Sequence, residues 1–150
     1  MYMQIKPKIG FDNVRLGTSR KEVLVILGEP SSKSTLTSLS KDKEEYGYNW
    51  KYKGGIELSF FDDYDYLLSE ISIKSEEALF REKKLIGLSE QDLKCEFPEL
   101  EIYYKFSGAV AYLDTEFELR FIVSNNVVEE VTILPETDEN EENPVWPGSI

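Results

Sequence analysis

Apolar positions along this chain keep two different periods, and the switches between them mark out its elements. Val23, Leu24, Ile26 and Leu27 recur at helical spacing, and Ser19 and Glu22 stand at the separation of a capping box just ahead of them. Gly28 and Pro30 stop that helix, since glycine accepts the left-handed conformation of a helix end and proline cannot continue the hydrogen bonding. From Ser31 to Lys43 only Leu36 and Leu39 interrupt a run rich in Ser, Thr and Lys, which predicts a mobile loop. Period two then begins. Tyr46, Tyr48, Trp50 and Tyr52 predict one half-buried strand, Ile56, Leu58 and Phe60 a second after the Gly54-Gly55 turn, and Leu68, Ile71 and Ile73 a third after Asp62-Asp63-Tyr64-Asp65.

The same order recurs further on. Ser75 to Lys84, with Ala78, Leu79 and Phe80, predicts a connecting helix or an irregular linker. Ser89, Asp92, Leu93 and Cys95 then predict a second short helix, ended by Phe97-Pro98. Ile102, Tyr104 and Phe106 alternate, as do Val110 and Tyr112. Phe117, Leu119, Phe121 and Val123 predict the next strand, Asn125-Asn126 a tight hairpin turn, and Val128, Val131 and Ile133 the last strand.

Gly17-Thr18-Ser19-Arg20-Lys21-Glu22-Val23 is answered by Gly87-Leu88-Ser89-Glu90-Gln91-Asp92-Leu93, and each copy leads into aromatic-rich strands. The expected organisation is therefore two tandem units, 1–74 and 75–135, each a helix followed by an antiparallel meander, within one globular unit. After Pro135 the chain turns to Glu136, Asp138, Glu139, Glu141 and Glu142, so 136–150 reads as a solvated acidic tail that Trp146 can dock onto the body.

Charge changes the picture more than any other feature of composition. The 150 residues carry 29 Asp and Glu against 17 Lys and Arg, a net charge of −12, and no histidine. Thinly spread cations disfavour nucleic acid, whose phosphates need a basic patch, while a strong acidic field favours a basic protein partner. Acidity that serves solubility alone is the plainer alternative. Without histidine, Ser-His and Cys-His catalysis are excluded, and zinc is left with carboxylates and the single Cys95. That lone cysteine forms no internal disulfide and reads as a buried small hydrophobe. No cofactor is implied. The amino terminus has no apolar signal-peptide core, and no stretch approaches the roughly 20 apolar residues of a membrane span. The expectation is a cytoplasmic protein without a membrane partner.

Leu16-Gly17-Thr18-Ser19-Arg20-Lys21-Glu22-Val23, then Leu27-Gly28-Glu29-Pro30, then the aromatic strand around Tyr48-Asn49-Trp50 carry a resemblance. The pattern resembles the fold family shared by the β-lactamase inhibitor protein and the small lipoprotein component of the outer-membrane β-barrel assembly machinery. That resemblance implies an α+β fold, with a helical layer on one face of a curved antiparallel sheet and the other face open for protein recognition. Unlike the inhibitor, this chain has no cysteine pair; unlike the lipoproteins, it shows no secretion signal or acylated cysteine near its start.

Asp62, Asp63 and Asp65 share one turn, but the central Gly and distal Glu of a calcium loop are missing, leaving an acidic hairpin turn or a partner-binding loop as the main readings. Glu57 and Glu118 fall at matching places and form a carboxylate pair only in the sense a glycosidase would need; solvated strand positions are the simpler reading. Phe61, Tyr103 and Ile122 interrupt an otherwise polar sheet face that also carries Glu130. The expected interface therefore has Glu57, Asp62, Asp63, Asp65, Glu118 and Glu130 meeting Lys or Arg, with Phe61 and Tyr103 as anchors. By analogy of class, a small, acidic, cofactor-free binding module of this kind fits an immunity protein that neutralises a basic bacterial toxin. An envelope or scaffold module of the lipoprotein type, and a small-molecule-binding protein, are the alternatives.

Overall fold

The computed structural model describes residues 2–40, 43–140 and 143–147, with backbone alone at 38–40 and 43–45. Short strands open the chain: β1 (Met3–Lys6), β2 (Gly10–Phe11) and β3 (Val14–Arg15), followed by α1 (Arg20–Leu27). A meander comes next, made of β4 (Ser32–Ser40), β5 (Lys43–Tyr52), β6 (Ile56–Phe61) and β7 (Leu68–Ile73), with a single 3-10 turn, Asp62–Tyr64, between the last two. Then follow β8 (Ala78–Phe80), β9 (Lys83–Lys84), α2 (Glu90–Glu96) and four more meandering strands, β10 (Leu100–Phe106), β11 (Ala109–Asp114), β12 (Leu119–Ser124) and β13 (Val127–Ile133). The tail adds β14 (Glu136–Thr137) and β15 (Pro144–Val145).

Among the described residues, β4 to β7 and β10 to β13 join through a β7–β13 pairing into one 8-stranded antiparallel sheet, in the order β10-β11-β12-β13-β7-β6-β5-β4. A 5-stranded sheet, β3-β2-β1-β8-β9, is the second layer. One hydrophobic core joins the two: Trp50, Phe60, Ile71, Phe121 and Val131 from the large sheet meet Phe11, Val14, Ala78 and Phe80 from the small one, with Val23 and Leu93 from the helices. Phe97 lies at its centre, with ring centroids 5.7 Å from Phe80 and 4.9 Å from Phe121. Buried aromatic pairs at such spacings add about 0.5–1.5 kcal/mol to the effect of area burial.

The expected α+β class is overturned: the protein is mainly β, and among the described residues no helical layer of a tandem repeat covers the sheet. The helices have 8 and 7 residues and bury one side chain each, Val23 and Leu93, while Val25 on α1 is 83% exposed. Segments read as turn or linker supply the rest of the cover. Ser75 to Lys84 forms not a helix but the β8–β9 hairpin, because Arg81 and Glu82 both take positive φ, 51° and 68°, as a tight two-residue turn requires.

The predicted loop at Ser31 to Lys43 is also a strand over most of its length. Ser32 pairs with Lys51 and the register runs on to Ser40 opposite Lys43; Lys41 and Asp42 lie outside the described residues. Its polar composition suits a sheet edge, where apolar residues invite unwanted pairing. Lys33 lies 4.9 Å from the Trp50 ring centre and 3.1 Å from Glu29.

Both helix starts match their sequence signals. Ser19 Oγ accepts from the Glu22 N–H at 3.2 Å, and Ser89 Oγ from the Asp92 N–H at 3.1 Å. Asn125 and Asn126, at φ 52° and 65°, make the β12–β13 turn. Phe117, read as the start of a strand, instead belongs to the turn before β12, held by its N–H donating to the buried Asp114 carboxylate at 2.8 Å. Cys95 is exposed rather than buried, on the outer side of α2. Trp146 docks on the body: its ring meets Tyr64 edge-on at 5.7 Å, and a Cβ at Gly17 would stand 2.9 Å from it. Glu141 and Glu142 of the acidic tail lie outside the described residues.

Candidate functional site

Side chains alternate across a strand, so the positions between core residues make a second face on the large sheet. Register places Lys51, Glu57, Ser72 and Thr132 in one row across β5, β6, β7 and β13, and the row runs on through Arg120 and Leu113 to Glu101 on β10. A neighbouring row runs from Glu130 through Ile122 and Ala111 to Tyr104. One end of this face is charged, and the end toward β10 is largely apolar with Glu101 at its border.

The charged end is an interleaved network. Arg120 donates to Glu70 at 2.8 Å, Asn49 donates to Glu57 at 2.8 Å, and Ser72 and Thr132 share a hydroxyl bond of 2.9 Å across the β7–β13 seam. Lys51 lies 3.8 Å from Glu57, and Lys74 lies 3.9 Å from Glu130. Loss of water is the largest influence on Glu130 and holds its carboxyl above the usual range; Lys74 and Arg120 oppose that shift, and Glu57 and Glu70 reinforce it. Glu57 and Glu130 were expected to meet a partner's cations directly. They already face cations of this chain, Lys51 and Lys74, so neither stands as a lone carboxylate.

At the other end, β10 is an edge strand that among the described residues pairs with β11 alone. Ile102, Tyr103, Tyr104 and Phe106 are 56%, 62%, 58% and 50% exposed, and the Tyr104 and Phe106 rings lie 4.8 Å apart. A bulge between Ile102 and Tyr104 leaves Tyr103 out of register, which lets Tyr104 and Phe106 share the face that carries Ala111 and Ile122. Exposed apolar residues are common singly, whereas a contiguous run on an open edge marks an interaction surface. Of this run the sequence singled out Tyr103 alone. Ile102, Tyr104 and Phe106 alternate like core residues, and only the position of β10 at the sheet edge exposes them.

The other expected site residues are dispersed. Phe61 is half-buried at the end of β6, and Asp62, Asp63 and Asp65 follow it in the 3-10 turn, where Asp62 accepts from the Tyr46 N–H at 3.2 Å. Asp65 takes the left-handed conformation at φ 56° and closes that turn. Glu118 is not on a strand at all: it sits in the turn before β12 at φ 52°, so it does not match Glu57 and forms no carboxylate pair of the kind a glycosidase uses. Among the described residues no group of His, Cys, Asp or Glu is arranged to hold a metal ion, the Asp62–Asp65 turn included.

Among the described residues no helix is long and apolar enough to cross a membrane. Comparison with models of protein families, with curated proteins and with solved structures finds no match for this chain.

Proposed function

We propose that this chain is a non-catalytic protein-binding module that neutralises a basic protein in the cytoplasm, as an immunity protein neutralises a bacterial toxin. The exposed run on β10 carries the reading: aromatic residues at the rim of a polar sheet face are the composition of protein-recognition surfaces, where Tyr supplies large contact area at low entropic cost. The net charge of −12 supports a basic partner, because opposite fields accelerate encounter and exclude acidic competitors. The close, largely buried Arg120–Glu70 pair fixes the centre of that face, and Lys51 and Lys74 partly offset the charges of Glu57 and Glu130.

The test uses the partner recovered from the native cell. Tyr104→Lys should weaken the complex about 30-fold or more, the loss typical of a central aromatic anchor. Reversing Asp63 and Asp65 together to Lys should slow association and flatten its dependence on salt, with little change in the dissociation rate. A complex that keeps its affinity with Tyr104→Lys and its association rate with the reversed pair would sink this reading.

A further inference from the structure

The outer backbone groups of β10 have no partner strand among the described residues, although the strand is seven residues long and lies beside four exposed apolar side chains. The opposite edge, β4, is mostly Ser and Thr, with Lys33, Leu36 and Leu39 among them, and Lys33 is held by Glu29 and Trp50. The two edges differ: β4 is mostly hydroxyl-bearing, whereas β10 flanks its ladder with aromatics and carries one charge of each sign, Glu101 on the face of Tyr104 and Lys105 on the other.

We infer that β10 takes up an extended segment of the partner as a ninth strand of the large sheet, and that this segment alternates cationic and apolar residues. The inference rests on the partner being a basic protein. Register specifies the segment's chemistry. Glu101 lies at the end of a row, exposed and without an ion pair among the described residues, so an added strand presents Lys or Arg to it. Tyr104 and Phe106 follow on the same face, where a guanidinium or an apolar side chain is matched by stacking. Main-chain bonds to the edge supply affinity, and the alternate side chains supply choice. A second copy of this chain fits less well, because it brings the same charge of −12 to the contact.

The probe is a capped decapeptide alternating arginine and valine, with its glutamate–valine counterpart as control, added to the intact protein while amide hydrogen exchange is followed. The arginine peptide should slow the outward β10 amides by about tenfold at a concentration near ten times its Kd. Tyr104→Lys should abolish that protection, and Glu101→Lys should transfer it to the glutamate peptide. Perturbation confined to the Glu57 and Glu130 region, with β10 amides unprotected, would overturn strand addition while leaving a basic partner in place. Protection of β10 by both peptides alike would support the added strand and overturn its cationic character. Protection that appears without peptide and grows with protein concentration would identify a second copy and overturn the proposal.

Discussion

Glu130 shows how one residue's environment becomes a measurable property of the fold. Its carboxyl binds a proton more tightly in the folded chain than in the unfolded one, chiefly because burial removes water from the charged form. The protonated form therefore favours folding: its contribution is present below the ordinary carboxylate pKa and is lost as pH rises through the folded value. Glu130→Gln, which keeps the shape without the charge, should raise Tm by a few degrees at pH 7 and make little difference near pH 4. The lost contact with Lys74 is minor, since that ammonium is 58% exposed. A Tm gain equal at both values of pH would show that Glu130 is ionised alike in both states. The sequence singled out Glu130 for its charge, but its desolvation was not legible there, because burial depends on which strands lie beside β13. Ser19 and Ser89 were legible, because a cap bonds to an N–H only three residues away.

At the scale of elements, the spacing of apolar residues recorded more than strand positions. Leu68, Ile71 and Ile73 are all buried although the first interval is odd, and so are Val128, Val131 and Ile133. Each odd interval is a bulge: Ser69 is the extra residue between Leu68 and Glu70, and Glu129 the extra one between Val128 and Glu130. Ser69 is fully buried, accepts from the Phe61 N–H at 3.0 Å and donates to the Leu67 carbonyl at 2.8 Å. Ser69→Ala strands both backbone groups and should cost about 1–3 kcal/mol in urea denaturation; an unchanged midpoint would mean that the bulge needs no side-chain support. The tail offers a second check. Gly17 has φ 85° and no room for a Cβ against Trp146, so Gly17→Ala should cost about 1–3 kcal/mol and shift the Trp146 indole N–H resonance toward its free position. An unmoved resonance would show that the ring docks independently of Gly17. β4 escaped detection for the converse reason: an edge strand needs little apolar content, so its pairing with β5 leaves almost no local trace.

For the whole molecule, the sequence indicated a sheet with one covered face and one exposed face but misjudged the cover. Helix signals are local and conspicuous, whereas β1, β2, β3, β8 and β9 are two to four residues each and pair across long stretches of chain, Met3 with Ala78 for instance. A mainly β fold was hidden in pieces too short to show a period. The same limitation concealed the β10 surface, because alternation places side chains on two faces and only the sheet order tells which strand is an edge. The role proposed for this edge and the adjoining face is to receive a basic protein. Photo-crosslinking in the native cell tests it most directly, with benzoylphenylalanine placed at Tyr104 and, on the other side of the molecule, at the exposed Val25 of α1. A crosslink from position 104 to one basic protein is expected, and none to that protein from position 25. A crosslink to it from position 25 alone, or capture of an acidic protein at position 104, would rule that role out.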